Sequence, residues 1–162
     1  MGKKGREIVE LDIKKLIEEL NRAYADEWLA HFYLLHAAHM VSGINSQEIS
    51  EVFKKSASEE LTHASSIAER IIQLGGTPVA KIEEIANVSH IKRFDFPKDS
   101  SDLKAFIQIF LEAERTVIDA YNELLKKTQQ KDIVTHELVE HLLEEEVADE
   151  EELENLLGNS RH

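Results

Sequence analysis

Apolar residues recur every three or four positions over four long stretches of this chain, and that spacing predicts four α-helices. The first runs from about Asp12 through DIKKLIEELNRAYADEWLAHFYLLHAAHMV and stops at Ser42-Gly43, where glycine is a natural terminator. The second starts near Ser46, carries Glu48 in its first turn and reaches Leu74 before Gly75-Gly76-Thr77-Pro78. The third is expected from about Asp102 to Lys127, the fourth from about Lys131 to Leu157. Residues 1–11 have mixed charge without periodicity and read as a flexible arm, and residues 158–162 as a short tail. Between Gly75 and Ser101 the pattern breaks, and only KIEEIA there looks like a short helix.

Connection lengths predict the topology. Turns of a few residues join the first helix to the second and the third to the fourth, which makes antiparallel neighbours of each pair. The middle connection, about 25 residues, is long enough to return along the bundle. The expected fold is therefore all-α, a four-helix bundle over residues 12–157 built from two hairpins and one long crossover.

A bundle helix buries a stripe of alternating three- and four-residue spacing, and here each stripe contains an acid. On the first helix it reads Leu16, Leu20, Ala23, Glu27, Ala30, Leu34. On the second it reads Phe53, Ala57, Glu60, Ala64, Ile67, Ile71, Leu74, with His63 one turn beyond Glu60 on nearly the same face. The third gives Leu103, Ile107, Phe110, Glu114, Val117, Tyr121, Leu124. The fourth gives Leu138 or Val139, then Leu142, Glu146, Asp149, Leu153, Leu156.

A lone buried carboxylate costs several kcal/mol or takes up a proton, and several converging carboxylates also repel one another. A cation at the centre removes both penalties, because carboxylate oxygens and imidazole nitrogens become its ligands. The pattern of a Glu from each of two helices plus Glu-x-x-His from each of the other two holds two metal ions in bundles of this kind. Glu27 and Glu114 are the single carboxylates, and Glu60-Leu61-Thr62-His63 is one complete Glu-x-x-His. The fourth helix offers Glu146-Val147-Ala148-Asp149, with Asp where His is expected. A shorter, more anionic ligand there favours ferric over ferrous iron and leaves one ion held through water or weakly.

A single Glu-x-x-His in an acidic helical protein is weak by itself, and EEEVADEEELE puts acids on every face of the fourth helix. Four stripe carboxylates at similar helical depth are much harder to obtain by chance. His31, one turn after Glu27, is a candidate supporting group or alternative ligand. His36 and His39 read as packing or interface residues, and His136 and His141 as exposed ones. Tyr24, Tyr33 and Tyr121 read as core or hydrogen-bonded aromatics, with Tyr33 or Tyr121 a candidate electron donor near metal. Trp28 reads as a packing or subunit-contact residue.

Composition narrows the partners. The chain has 162 residues, 42 % hydrophobic and 31 % charged, which suits one globular domain. With no Cys, disulfides, zinc ribbons, iron–sulfur clusters and cysteine nucleophiles are excluded. No apolar run reaches the roughly 20 residues of a membrane span, and no signal-peptide core follows the polar start, so a cytoplasmic protein without membrane contact is expected. A net charge of −13 offers no electrostatic footprint for nucleic acid. Only Lys3, Lys4 and Arg6 could form a basic tail, and direct DNA binding is not expected.

The segments DIKKLIEELNRAYADEW around Glu27, SEELTHASSIAERIIQLGGTP around Glu60 and His63, LEAERTVIDAY around Glu114 and IVTHELVEHLLEEEVADEEEL around Glu146 resemble the ferritin superfamily, within it the bacterioferritin-like and archaeal Dps-like branch. The resemblance covers about residues 12–157, and the Glu-x-x-His and the LGG-x-P closing the second helix are its more specific parts. It implies a ferritin-like ferroxidase that oxidises Fe2+ with hydrogen peroxide or O2 at a centre of two iron ions per subunit. Manganese or another divalent metal is the alternative. Ferric product would be stored in a homo-oligomeric shell, protecting against oxidative stress. The implied catalytic set is Glu27, Glu60, His63, Glu114 and Glu146, with Asp149 added as a metal ligand.

Three departures from the family pattern matter. Leu61 stands where bacterioferritins carry the haem-ligating Met, so no haem is expected. Thr116 stands where the Dps-like branch often has one of a Cys pair, and Asp149 replaces the expected second His. The ending GNSRH leaves out the short fifth helix typical of 24-subunit cages, which favours a 12-subunit shell by resemblance. The alternatives are a non-storing di-metal oxidase or peroxidase, rubrerythrin-like or manganese-catalase-like, and a bundle that binds metal without turnover.

Overall fold

The computed structural model describes residues 2–91 and 94–159, and every element among them is helical. In chain order these are α1 (Lys3–Glu7), α2 (Ile13–Met40), α3 (Ser46–Leu74), α4 (Ile82–Val88), α5 (Leu103–Thr128) and α6 (Ile133–Asn159). The four long helices and KIEEIA fall where the periodicity places them, because their ends carry chemical stops. Asp12 starts α2 by accepting from the amides of Lys14 and Lys15 at 3.0 and 3.3 Å. Asp102 starts α5 by accepting from Ala105 N–H at 3.1 Å, and Asp132 starts α6 by accepting from Thr135 N–H at 3.2 Å. Gly75, at φ 93°, closes α3, with the Gly76 amide returning to Ile71 O at 2.9 Å. A Cβ on Gly76 would lie 2.8 Å from Ile17 Cγ2, so the paired glycines also let the end of α3 sit against α2.

Within the segment expected as an arm, Lys3–Glu7 forms the short helix α1, and Glu10 N–H donates to Lys131 O at 2.8 Å. At the other end α6 continues through Asn159, and the rest of the expected tail, residues 160–162, lies outside the described residues.

α2 packs along α3 and α5 along α6, and the crossover lays α4 against α2. Leu20, Leu34, Phe53, Ile67, Ile71, Ile107 and Val139 fill the interior. Although its periodicity breaks, the crossover feeds that interior. Phe94 meets Phe110 at a ring distance of 5.6 Å, and Phe96 stacks on Phe106 at 5.8 Å.

Asp26 pins the crossover to α2. Fully buried, its carboxylate accepts from Ser89 Oγ at 2.5 Å, His90 N–H at 2.6 Å, the His90 Nδ1 side at 2.6 Å and Ile91 N–H at 3.2 Å. The hydrogen bond to Asp26 raises the pKa of the half-buried His90 against the smaller downward pull of burial. A raised folded-state pKa means the protonated pair stabilises fully below about pH 6.5, the ordinary histidine value, and that this increment is lost as pH rises through the folded value. Unfolding midpoints measured across pH should therefore show wild type losing part of its advantage over His90→Asn as pH rises from about 6 to 9.

Candidate metal centre

Midway along the bundle, one ligand atom each from Glu27 on α2, Glu60 and His63 on α3, and Glu146 on α6 lie within 4.8 Å of one another. Helical spacing explains the convergence: each residue occupies a stripe position, and the stripes of antiparallel neighbours face each other. All four are buried, with exposures of 1, 2, 3 and 1 %. His63 Nδ1 faces inward, 3.0 Å from Glu146 Oε1, 3.4 Å from Glu60 Oε2 and 3.5 Å from Glu27 Oε2. Even so, Glu60 Oε2, His63 Nδ1 and Glu146 Oε1 have no aligned hydrogen-bond partner. Buried polar atoms left in this state are costly unless something else satisfies them.

Electrostatics sharpen the point. Burial, then the charges of Glu27 and Glu146, push the Glu60 carboxyl well above the usual carboxylate range. Glu114 on α5 is also buried, and burial followed by the Glu146 charge pushes it well up too. Glu146 itself is raised by burial first and Glu27 second. Glu27 goes the other way: burial would raise it, but the closeness of Glu60, of the His63 imidazole and of the Tyr121 hydroxyl outweighs burial and lowers it. Burial opposes a charge on His63, but the surrounding carboxylates of Glu146, Glu27 and Glu60 outweigh it and hold the imidazole well above its ordinary value. Four carboxylates and one imidazole thus share too few counter-charges, and the oxygen and nitrogen donor set fits a hard or borderline divalent cation. The residues present fit the ions that the stripe pattern implies.

Asp149 stands apart. It is only part-buried on α6, outside the four-donor group, and faces Glu59 and Lys55 on α3 and Glu152 on its own helix. Burial and then the Glu59 charge raise its pKa to about 6. Lys55 Nζ, 3.4 Å from Glu59 Oε2 and 3.3 Å from Glu152 Oε2, offsets part of the charge at that edge. Glu114 couples electrostatically to Glu146 and Asp149, so these three carboxylates lie beside the cluster, and a second ion there would have no nitrogen donor and one short-armed ligand. Asp149→His should bind the second equivalent of Co2+ about tenfold more tightly, a change that needs only about 1.4 kcal/mol. Competition titration against a chelator measures it, and unchanged second-site affinity would place residue 149 outside the centre.

Three further contacts link the helices at the centre and beyond it. Tyr121 Oη donates to Glu27 Oε1 and fixes that carboxylate. Glu145 meets the outer nitrogen of His63 at 2.8 Å. Arg70 spans from α3 to α6 through Asp132 and Thr135. Tyr121 lies on the expected stripe, but Glu145 and Arg70 look like surface charges in sequence. His31 does not join the donors: its Nδ1 lies 2.5 Å from Ala57 O, and its ring sits against Trp28. Tyr33 packs on Phe94 in the crossover, at 4.6 Å. His136, expected on the surface, is part-buried with Nδ1 3.1 Å from Thr128 Oγ1.

Fold and centre together define a class of protein: a four-helix bundle with one long crossover and a carboxylate–imidazole cluster at mid-height. The ferritin-like domain family profile matches residues 17–162, and the chain belongs to the ferritin-like family. It is 29 % identical over 160 residues to a DNA protection during starvation protein of Pyrococcus furiosus, covering 97 % of this chain and 86 % of that one. It is 31 % identical over 135 residues to a bacterioferritin of Desulfovibrio desulfuricans, covering 83 % and 69 %. Among solved structures it resembles a dodecameric thioferritin, the bacterioferritin-related protein of Bacteroides fragilis. That match has a TM-score of 0.92 and 32 % identity over 98 % of this chain and 94 % of the other. No helix among the described residues is long and apolar enough to cross a membrane.

Proposed function

We propose that this protein is a cytoplasmic ferroxidase and iron store that takes up Fe2+ as substrate and oxidises it with hydrogen peroxide or O2. The observation carrying this reading is the buried Glu27–Glu60–His63–Glu146 cluster, whose inward atoms lack partners in a fold shared with iron-handling relatives. Two Fe2+ ions each give up one electron, and the pair reduces one hydrogen peroxide to two hydroxide ions. The protein's part is to supply negative charge where cation charge increases, to hold the donors in place and to exclude bulk water. Glu27, Glu60, His63 and Glu146 hold the first ion, Glu114 and Glu146 with Asp149 the second, and Tyr121 orients Glu27.

The position of Asp149 off the cluster favours one other reading, metal binding without turnover. Anaerobic Fe2+ titration of metal-free protein, then peroxide addition under near-ultraviolet detection, separates the two. Saturation near about two irons per chain with rapid oxidation supports the ferroxidase. Single-iron binding with oxidation at background rate would leave only the binding reading standing.

We further propose a homo-oligomeric shell of the 12-subunit kind, on the likeness to the dodecameric thioferritin. Phe32 and Ile82 are 61 and 83 % exposed, and they line an apolar groove between α2 and α4 together with Trp28, Leu29 and Ile85. Exposed apolar area of this kind marks an association surface. Phe32→Asp should convert a particle many times the 18.5 kDa chain mass into small species, read by light scattering after size exclusion. An unchanged particle would put the assembly contacts elsewhere. Direct DNA contact is not part of the reading, since a chain of net charge −13 repels phosphate.

A further inference from the structure

His63 faces two ways. Its Nδ1 is turned into the carboxylates, while Nε2 points to the bundle surface and lies 2.8 Å from Glu145 Oε2. The imidazole is 3 % exposed, whereas the Glu145 side chain is 48 % exposed and its other oxygen lies 3.8 Å from His141 Nε2, one turn earlier on α6. Among the consecutive acids Glu144, Glu145 and Glu146, the 100° step of a helix sends Glu146 inward and Glu145 toward α3, and leaves Glu144 in solvent.

An imidazole has two nitrogens, and the partner of one decides what the other can do. With a carboxylate accepting at Nε2, that proton stays in place, the ring cannot turn over without losing the bond, and Nδ1 is the nitrogen whose proton a metal ion would displace. Such an outer carboxylate also strengthens the inner nitrogen as a donor. We propose that Glu145 is a positioning residue that holds Nε2–H of His63 and thereby makes Nδ1 the atom offered to metal. The part concerning metal rests on the functional reading above; the part concerning the ring does not.

The test has two arms. In metal-free protein, a slowly exchanging Nε2–H, told from Nδ1–H by its couplings to the ring carbons' protons, should appear in 1H–15N correlation spectra and vanish in His63→Ala, which assigns it. It should be lost to solvent exchange in Glu145→Ala and in the length-matched Glu145→Met, persist in Glu144→Ala, and return in Glu145→Gln, whose amide oxygen still accepts. In the second arm, Zn2+ or Co2+ affinity by chelator competition should fall about 10–100-fold in Glu145→Ala and Glu145→Met and recover in Glu145→Gln. An Nε2–H equally protected without Glu145 would overturn the proposal, as would metal affinity unchanged after protection is lost. If wild type showed the Glu145-dependent ring N–H yet bound neither metal, the ring assignment would stand and the metal-centre reading would fall.

Discussion

Glu60→Gln is expected to stabilise the metal-free protein and to destroy its capacity for metal, so that adding metal reverses the order of stability between variant and wild type. Glu60 is 2 % exposed, and burial with the nearby Glu27 and Glu146 charges pushes its carboxyl well up. The folded state therefore favours the neutral carboxyl more than the unfolded state does. Above the ordinary carboxyl value, folding must then take up a proton or bury the charge, and either costs stability that a glutamine of the same shape retains. The gain should shrink as pH falls toward about 4.5, where the unfolded carboxyl also protonates. Metal acts in the opposite sense, since it displaces the proton and takes the carboxylate as a ligand. Saturating wild type at about 100 times the dissociation constant adds about 2.7 kcal/mol, and the variant should gain almost none of it. Calorimetric midpoints with and without Zn2+ at pH 5 and pH 7 measure both effects. A metal-free variant less stable than wild type at pH 7 would mean that Glu60 is not strained by the cluster.

Arg70→Ala is expected to cost about 3–5 kcal/mol, the scale for breaking a buried ion pair from one side. Arg70 is 5 % exposed and crosses from α3 to the start of α6. There its guanidinium donates to Asp132 Oδ1 and Oδ2 at 2.9 and 2.8 Å and to Thr135 Oγ1 at 2.8 Å. Burial would raise the Asp132 pKa, but hydrogen bonds from Thr135 and Arg70 outweigh it and lower it. That contribution is present above the unfolded aspartate value near 3.9 and is lost as pH falls through the lower folded one. Removing the arginine strands a carboxylate that also caps α6. Arg70→Met with Asp132→Asn should recover most of the loss, because the cap to Thr135 survives without a buried charge. Chemical unfolding of the single and double variants separates charge burial from lost packing.

The long helices and the shape of their topology are legible before any coordinates. Three- and four-residue periodicity is local, and so are the stops at Asp12, Gly75, Asp102 and Asp132. Short turns force hairpins and the long middle segment forces a crossover, which is chain geometry rather than packing. The acids at Glu27, Glu60, Glu114 and Glu146 stand out for the same reason: each interrupts a stripe that would otherwise be wholly apolar.

Rotation and depth were decided by tertiary structure. Whether Glu145 or Asp149 meets the centre depends on a few tens of degrees of turn in α6, and a helix acidic on every face carries no sequence signal for that angle. Phe94 and Phe96 pack against the core, half-buried, because the crossover folds back on α5, although nothing periodic surrounds them. Asp26 and Arg70 look like surface charges in sequence. Their partners, His90 and Asp132, lie 64 and 62 positions away. Periodicity reports which face of a helix is buried, since that follows from the residues of the helix itself. Which two buried polar groups meet depends on how the helices cross, and only the packed bundle determines that.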